Sequence, residues 1–320
     1  MPGWAGFQYW RSSIVTPEFK VTIAGIEFAN PIMTASGCCG YGEELSQVFP
    51  LSKLGALVTK SITLKPRLGH PPPRTVETSS GMLNAIGLEN VGIDRFLSDK
   101  MPFLSKQKTK VIVNVAGSSI KEYIEVCSRL NDCKRVDMVE LNISCPNVDE
   151  GGMEIGADPA LTEKSVAAVK KVFSRPVIAK LSPNVTDIVE IARAAEQGGA
   201  DALSLINSVV GTSVDIDTWR PRLTNNKGGL TGPAIKPIAL AKVDAVYNNC
   251  RLPVIGIGGI SDYRDVIEFM LCGATAVQVG TALFIEPDLP VKIIRDLADY
   301  LKKKELKSAH DLVGKVRKYK

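Results

Sequence analysis

No apolar run in this chain approaches the roughly 20 residues that a membrane helix requires. The longest, such as Ala202–Ile206 and Ala276–Val279, have the length of a strand, so nothing is expected to span a bilayer. Met1–Lys20 lacks both a basic start and an apolar stretch ending in small residues; no secretory signal is expected, and the chain is read as cytoplasmic. Histidine is scarce: only His70 and His310 are present, which leaves an ordinary histidine base in short supply. Seven cysteines show no zinc or iron–sulfur spacing, and their odd number and scatter, with only Cys38 and Cys39 adjacent, suit reduced thiols better than a disulfide framework. A dinucleotide fingerprint, low-complexity segments and a domain boundary are missing as well. Residues 1–320 are therefore read as one domain, with an N-terminal extension over 1–17 and a basic tail over 302–320.

What is present is a balance of 45% hydrophobic and 23% charged residues, which fits one large α/β barrel or two ordinary domains. The net charge of +5 owes much to Lys302, Lys303, Lys304, Lys307, Lys315, Arg317, Lys318 and Lys320. A solvated helix face and tail account for these. Nucleic-acid binding would want basic residues interleaved with aromatics, and a membrane surface would want an apolar face opposite the lysines. Neither pattern is seen, so neither partner is expected.

Eight short apolar, β-branched runs recur, each bounded by Gly, Pro or Asn: Pro31–Ala35, Ala56–Lys60, Val111–Val115, Met138–Ile143, Val177–Leu181, Ala202–Asn207, Val254–Gly258 and Ala276–Gly280. Helical-period segments such as Ser119–Leu130, Leu161–Val172 and Asp187–Gln197 separate them, and Gly198-Gly199 is a natural helix stop. Runs that are apolar throughout suit parallel strands buried on both faces, and eight of them predict a (β/α)₈ TIM barrel. The stretch Phe19–Phe28 reads as a hairpin plugging the barrel floor. Two connections, Ser61–Asp94 and Ser208–Thr231, are too long for simple loops and follow strand C-termini, where barrel active sites assemble; they are candidate lids or substrate loops.

Polar residues stand out where these runs end: Lys60, Asn114, Asn142, Lys180 and Asn207. An unpaired buried lysine is costly, so Lys60 and Lys180 point to an anionic or polar ligand in the barrel mouth; a salt bridge to a nearby carboxylate is the alternative, although few carboxylates lie at that level. Gly256-Ile257-Gly258-Gly259 and Gly280-Thr281, after strands seven and eight, would let backbone N–H groups approach a phosphate, or would serve only the turns. Cys145 lies in Asn142-Ile143-Ser144-Cys145-Pro146-Asn147, a polar, proline-stiffened turn at the catalytic face, where a thiol can act as acid or base. Cys127, Cys133, Cys250 and Cys272 read as core residues, and His70, beside three prolines, as a loop residue.

Taken together, the ordered motifs resemble the dihydroorotate dehydrogenases from Ile23 to Asp288. They are Asn30-Pro31 with Ala35-Ser36-Gly37, Thr59-Lys60-Ser61, Lys65-Pro66-Arg67, Asn84–Leu88, Asn142–Asn147, Lys180–Asn184, Gly228–Pro233 and both glycine sites. The resemblance implies that FMN is held by Ser36, Lys60, Ser61, Asn114, Asn142, Lys180, Ile206, Gly232, Gly258, Gly259, Gly280 and Thr281. It implies that orotate or dihydroorotate is held by Lys60, Asn84, Ala85, Ile86, Gly87, Leu88, Asn142, Asn207 and Ser208. Asparagines suit a pyrimidinedione, which offers both N–H donors and C=O acceptors. The implied chemistry, part of de novo pyrimidine biosynthesis, is removal of a C5 proton by Cys145 with hydride transfer from C6 to flavin.

Membrane-associated members of that family use serine at the base position, so Cys145 argues for the soluble class. Asn147-Val148, Gly151-Gly152 and Gly156–Pro159 look like the NAD-linked, two-subunit type more than the fumarate-using homodimer. With no iron–sulfur spacing in the chain, a separate subunit carrying an iron–sulfur cluster and FAD is expected on a homodimer of this chain, a heterotetramer. Alternatives are the fumarate-dependent homodimeric enzyme, a flavin enzyme for another dihydropyrimidine, and a non-catalytic FMN- or phosphate-binding barrel. Departures from the family pattern are Cys38-Cys39 in place of a Thr-Phe type pair, His70 where Asn is common, and the unmatched Met1–Pro17.

Overall fold

The described chain enters through an antiparallel hairpin of β1 (Val21–Ile23) and β2 (Ile26–Phe28). Ala24 and Gly25 turn it at φ 50° and 78°, the left-handed pair that a two-residue hairpin demands. A computed structural model describes residues 18–144, 146–147 and 153–319; the extension over 1–17 and Cys145 lie outside the described residues. After the hairpin come β3 (Ile32–Thr34), β4 (Ala56–Val58), β5 (Thr75–Thr78), β6 (Gly81–Asn84), β7 (Lys110–Val115) and β8 (Met138–Asn142). Then follow β9 (Pro146–Asn147), β10 (Met153–Glu154), β11 (Val177–Leu181), β12 (Ala202–Leu205), β13 (Val209–Gly211), β14 (Val214–Asp215), β15 (Arg220–Pro221), β16 (Gly228–Thr231), β17 (Val254–Ile257) and β18 (Ala274–Val279).

Eight of these strands close in the order β3-β4-β7-β8-β11-β12-β17-β18, every neighbour parallel, and β18 pairs back onto β3. They are the eight expected runs, shifted by one or two residues at some ends. The strand after the second run stops at Val58, which leaves Lys60 beyond it rather than within it.

Longer helices pack outside. Ile120–Asn131 is capped by Ser119, Pro159–Lys170 by Asp158 and Ile188–Gln197 by Asp187, each side chain accepting from an otherwise orphaned N–H; such caps contribute about 1 kcal/mol apiece. Gly199, at φ +86°, follows the third of these helices, as the glycine pair predicted. The basic tail is seated on the barrel: Gly314 and Val316 donate to the carbonyls of Met270 and Leu271, and Leu312 is buried.

Strand periodicity sorts the interior. Outward residues Val111, Val113, Val139, Leu141, Val177, Ala179, Leu203 and Val277 join the core under the helices. Inward ones, Met33, Val58, Ile112, Met138, Ile178, Ala202, Ile255 and Ala276, pack with Val21, Ile23 and Phe28 into a separate floor cluster, so the hairpin does plug the barrel. Side chains on one face recur every second residue. Counted along each strand, the next inward residue after the floor is Asn114, Glu140, Lys180, Ser204, Ile257 or Gln278, and the one after it Asn142, Ile206 or Gly280; strand stagger sets Lys180 level with Asn142, one inward step above Glu140.

The two long connections are not structureless. They supply β5, β6, β13 and β16, which pair as one antiparallel sheet in the order β13-β16-β6-β5. Distant loops meet there because each edge leaves backbone N–H and C=O groups that need partners.

Candidate active site

Between that sheet and the C-terminal end of the barrel lies a cavity of about 530 Å³. Ser36, Lys180, Ile206, Gly232, Gly258, Gly259, Gly280 and Thr281 line it, together with Asn207 and Ser208. Gly258 and Gly259 turn the chain at φ +133° and +71°, and a Cβ on Gly259 would stand 2.8 Å from the Gly232 carbonyl oxygen, so only glycine fits. Among the described residues, the backbone N–H groups of Gly258, Gly259, Gly280 and Thr281 have no acceptor.

This loop is held open from behind. Asp265 accepts from the backbone N–H groups of Ser261 and Asp262, from Ser261 Oγ and from Lys236 Nζ at 2.6 Å. Burial pushes the Asp265 carboxyl up, but the hydrogen bonds from Lys236, Ser261 and Asp262 outweigh it and hold the group below its ordinary 3.8.

Lys180 is 7% exposed, and among the described residues it makes no ion pair or hydrogen bond. A buried ammonium without a partner is costly. Its chain points into a cavity rimmed by unsatisfied N–H groups, a donor set that fits a polar anion with a phosphate. Cys38 lines the same cavity; burial pushes its thiol up to about 11, with Lys180 pulling the other way.

Other expected residues are placed differently. Ser61 Oγ donates to Asn114 Oδ1 at 2.6 Å, and Asn114 Nδ2 donates to Glu140 at 2.7 Å, so this pair sits in the layer below and does not line the cavity. Lys60 and Asn142 also stand off the lining. Lys60 Nζ lies 4.0 Å from Glu89, which is also paired with Arg74, so a carboxylate does reach its level. Asn142 Oδ1 accepts from Ser144 Oγ at 2.7 Å and from Asn207 Nδ2 at 3.3 Å, which brings two of the expected pyrimidine-binding amides together.

Asn84 joins them through the sheet. Its Nδ2 donates to the Gly229 carbonyl at 3.0 Å, and a Cβ on Gly229 would lie 1.9 Å from Ser208 Oγ and 3.8 Å from Asn84 Nδ2. Glycine at 229 thus lets Asn84 and Ser208 stand close. Ala85, Ile86, Gly87 and Leu88 run on away from the lining; Ile86 accepts from the His70 N–H, and a Cβ on Gly87 would strike His70. His70 is thereby a loop-packing residue. His310 lines a second cavity of about 330 Å³ with Thr22 and Val254, at the floor end of the barrel. Neither histidine reaches the main cavity.

Sequence reasoning passed over Glu140, Ser204 and Gln278, which form the hub under Asn114. The signal was there: a carboxylate inside the apolar run Met138–Leu141 needs partners, and serine and glutamine in neighbouring runs could supply them.

Fold and cavity define a parallel α/β barrel with a cavity suited to a polar anion over the ends of its last strands. The family model for dihydroorotate dehydrogenase matches residues 18–301, and the chain belongs to that family. It is similar to proteins named dihydroorotate dehydrogenase B (NAD(+)), catalytic subunit. That of Geobacter sp. (strain M21) is 51% identical over 298 residues, covering 93% of this chain and 98% of the relative. That of Geobacter sulfurreducens is 52% identical with the same coverage. That of Alkaliphilus oremlandii is 49% identical over 296 residues, 92% of this chain and 98% of the relative. The expected NAD-linked type agrees with these names.

Proposed function

We propose that this chain is the FMN-binding catalytic subunit of an NAD-linked dihydroorotate dehydrogenase, oxidising dihydroorotate to orotate. The observation that carries the cofactor reading is Lys180, without a partner among the described residues, in a cavity rimmed by N–H groups of Gly258, Gly259, Gly280 and Thr281 that have no acceptor among them either. FMN, when bound, supplies a two-electron acceptor for the hydride from C6. The glycine loops would hold its phosphate, and Lys180 would offer charge to its anionic form. Ser36, Ile206 and Gly232 would wall it in, with Lys60, Ser61, Asn114 and Asn142 completing the set.

Dihydroorotate would sit against Asn142, Asn207 and Ser208, which hydrogen bonds already join, and against Asn84, which the Gly229 carbonyl orients. Lys60 would meet its carboxylate, and the segment Ala85–Leu88 would border it. The sheet of β5, β6, β13 and β16 lies over the barrel mouth and would exclude water. Cys145 follows Ser144 in the chain and would take the C5 proton; no histidine of this chain lines the cavity.

Electrons would leave through a partner subunit carrying an iron–sulfur cluster and FAD. The six described cysteines are free thiols and form no metal cluster among the described residues. They suit a cytoplasmic protein, and no described helix is long and apolar enough to cross a membrane.

The test is anaerobic mixing of the purified yellow protein with dihydroorotate while the flavin spectrum is followed. Bleaching is expected, with fast turnover on artificial dyes and little on NAD until the partner is added. A colourless protein that takes up no FMN would refute the cofactor. Efficient turnover with fumarate would assign the homodimeric type, and efficient NAD reduction by the isolated chain would remove the need for a partner.

A further inference from the structure

Glu140 is fully buried in the barrel interior, and no cation pairs with it among the described residues. Its Oε1 accepts from Asn114 Nδ2 at 2.7 Å. Its Oε2 accepts from Ser204 Oγ at 2.9 Å and Gln278 Nε2 at 2.7 Å. Three donors from three strands converge on it, a set matched to an acceptor-only group. Glu140 is level with Ile178 in the β8–β11 register, so Lys180 stands one inward step above it, in the cavity wall.

A carboxylate in that position does not serve packing. Desolvating an ion costs several kcal/mol, and an apolar residue of similar volume would suit the core at least as well. What the carboxylate does is fix two amides. Asn114 must turn its N–H₂ toward Glu140, which leaves Oδ1 to Ser61. Gln278 must do the same, and its Oε1 is left buried with no donor among the described residues. The side chain of Glu140 thus imposes an arrangement that Gln278 alone would not choose.

We propose that Glu140 is a positioning residue that sets the electrostatic potential of the cofactor cavity: its charge opposes that of Lys180 one inward step above and locks the amides of Asn114 and Gln278. This rests on the reading that FMN occupies that cavity. A negative charge below the cavity disfavours the reduced, anionic flavin relative to the oxidised form, and Lys180 favours it. Removing the charge should therefore raise the midpoint potential.

The experiment is dye-equilibration potentiometry of FMN bound to the full-length chain, with FMN affinity measured on the apo-protein. Glu140→Gln is compatible with the fold, because Gln278 can turn over and give the new amide the acceptor it now wastes. It should tighten reduced over oxidised FMN at least tenfold, a rise of about 30 mV for a two-electron couple. Gln278→Met keeps the charge but strips one donor from it, and should move the potential downward. Ser204→Ala, which also keeps the charge, should not raise it. Wild-type potential in folded, FMN-bound Glu140→Gln would overturn the proposal. Should that variant not fold, an unchanged or raised potential in Gln278→Met would overturn it instead. Failure of the wild-type chain to bind FMN would refute the cofactor reading itself, and the proposal with it.

Discussion

Replacing Lys180 by methionine should strengthen the empty protein and weaken the loaded one. The side chain is 7% exposed, and the described residues offer it no carboxylate and no hydrogen-bond acceptor. Methionine has a similar length and fills the same space without the charge. Relief of one unpaired buried charge should stabilise the apo-protein by about 1–3 kcal/mol. At roughly 2 °C per kcal/mol for a chain of this size, its melting temperature should rise by about 2–6 °C. The same substitution deletes a charge-assisted contact to the cofactor, worth about 1.5–3 kcal/mol, so FMN should bind roughly 10- to 150-fold more weakly. Thermal melts with and without FMN, beside a titration of flavin fluorescence, read both quantities. The opposite signs are the test, because a lysine that merely holds the barrel together would lower both. An apo-protein several degrees less stable, or an unchanged affinity for FMN, would refute the reasoning.

Cys145→Ala should retain FMN and orotate binding but slow flavin reduction by dihydroorotate roughly 10²- to 10⁴-fold, the contribution of a general base; Cys145→Ser should keep a little activity, most visible at high pH. Near-normal reduction in Cys145→Ala by stopped-flow would assign the proton to another group. Asp265, held below its ordinary 3.8 by Lys236, Ser261 and Asp262, contributes stability that is full above that value and lost as pH falls through its lower folded value. Asp265→Asn should accordingly melt below wild type at neutral pH, with a gap that narrows below about pH 4; a gap constant down to pH 3 would count against this role for the carboxylate.

Much of this was legible in sequence because the physics involved is local. An apolar run bounded by turn residues becomes a strand whatever lies around it, and eight of them with intervening helical periods close in one way. Ser119 and Asp187, where two helical segments were expected to begin, are helix caps by the same short-range logic. Glycine at 258 and 259 marked the loop that lines the cavity because only glycine adopts those φ values without strain.

Position across the barrel was not legible, because it depends on register between strands that are far apart in the chain. Lys60 and Lys180 looked alike in sequence, yet one stands past its strand near Glu89 and the other is buried in the cavity wall with no partner among the described residues. Asn114 stood out as a strand-end amide, and only the closed barrel ties it to Ser61 and Glu140. Ser61–Asp94 and Ser208–Thr231 each lacked a strong strand pattern, since their strands are short and half-exposed and gain stability only by pairing with one another. By itself the sequence determined the barrel strands, their closure and the family. Which polar side chains face ligand and which face each other was decided by closure of the barrel, because a one-residue change of register turns every side chain to the opposite face.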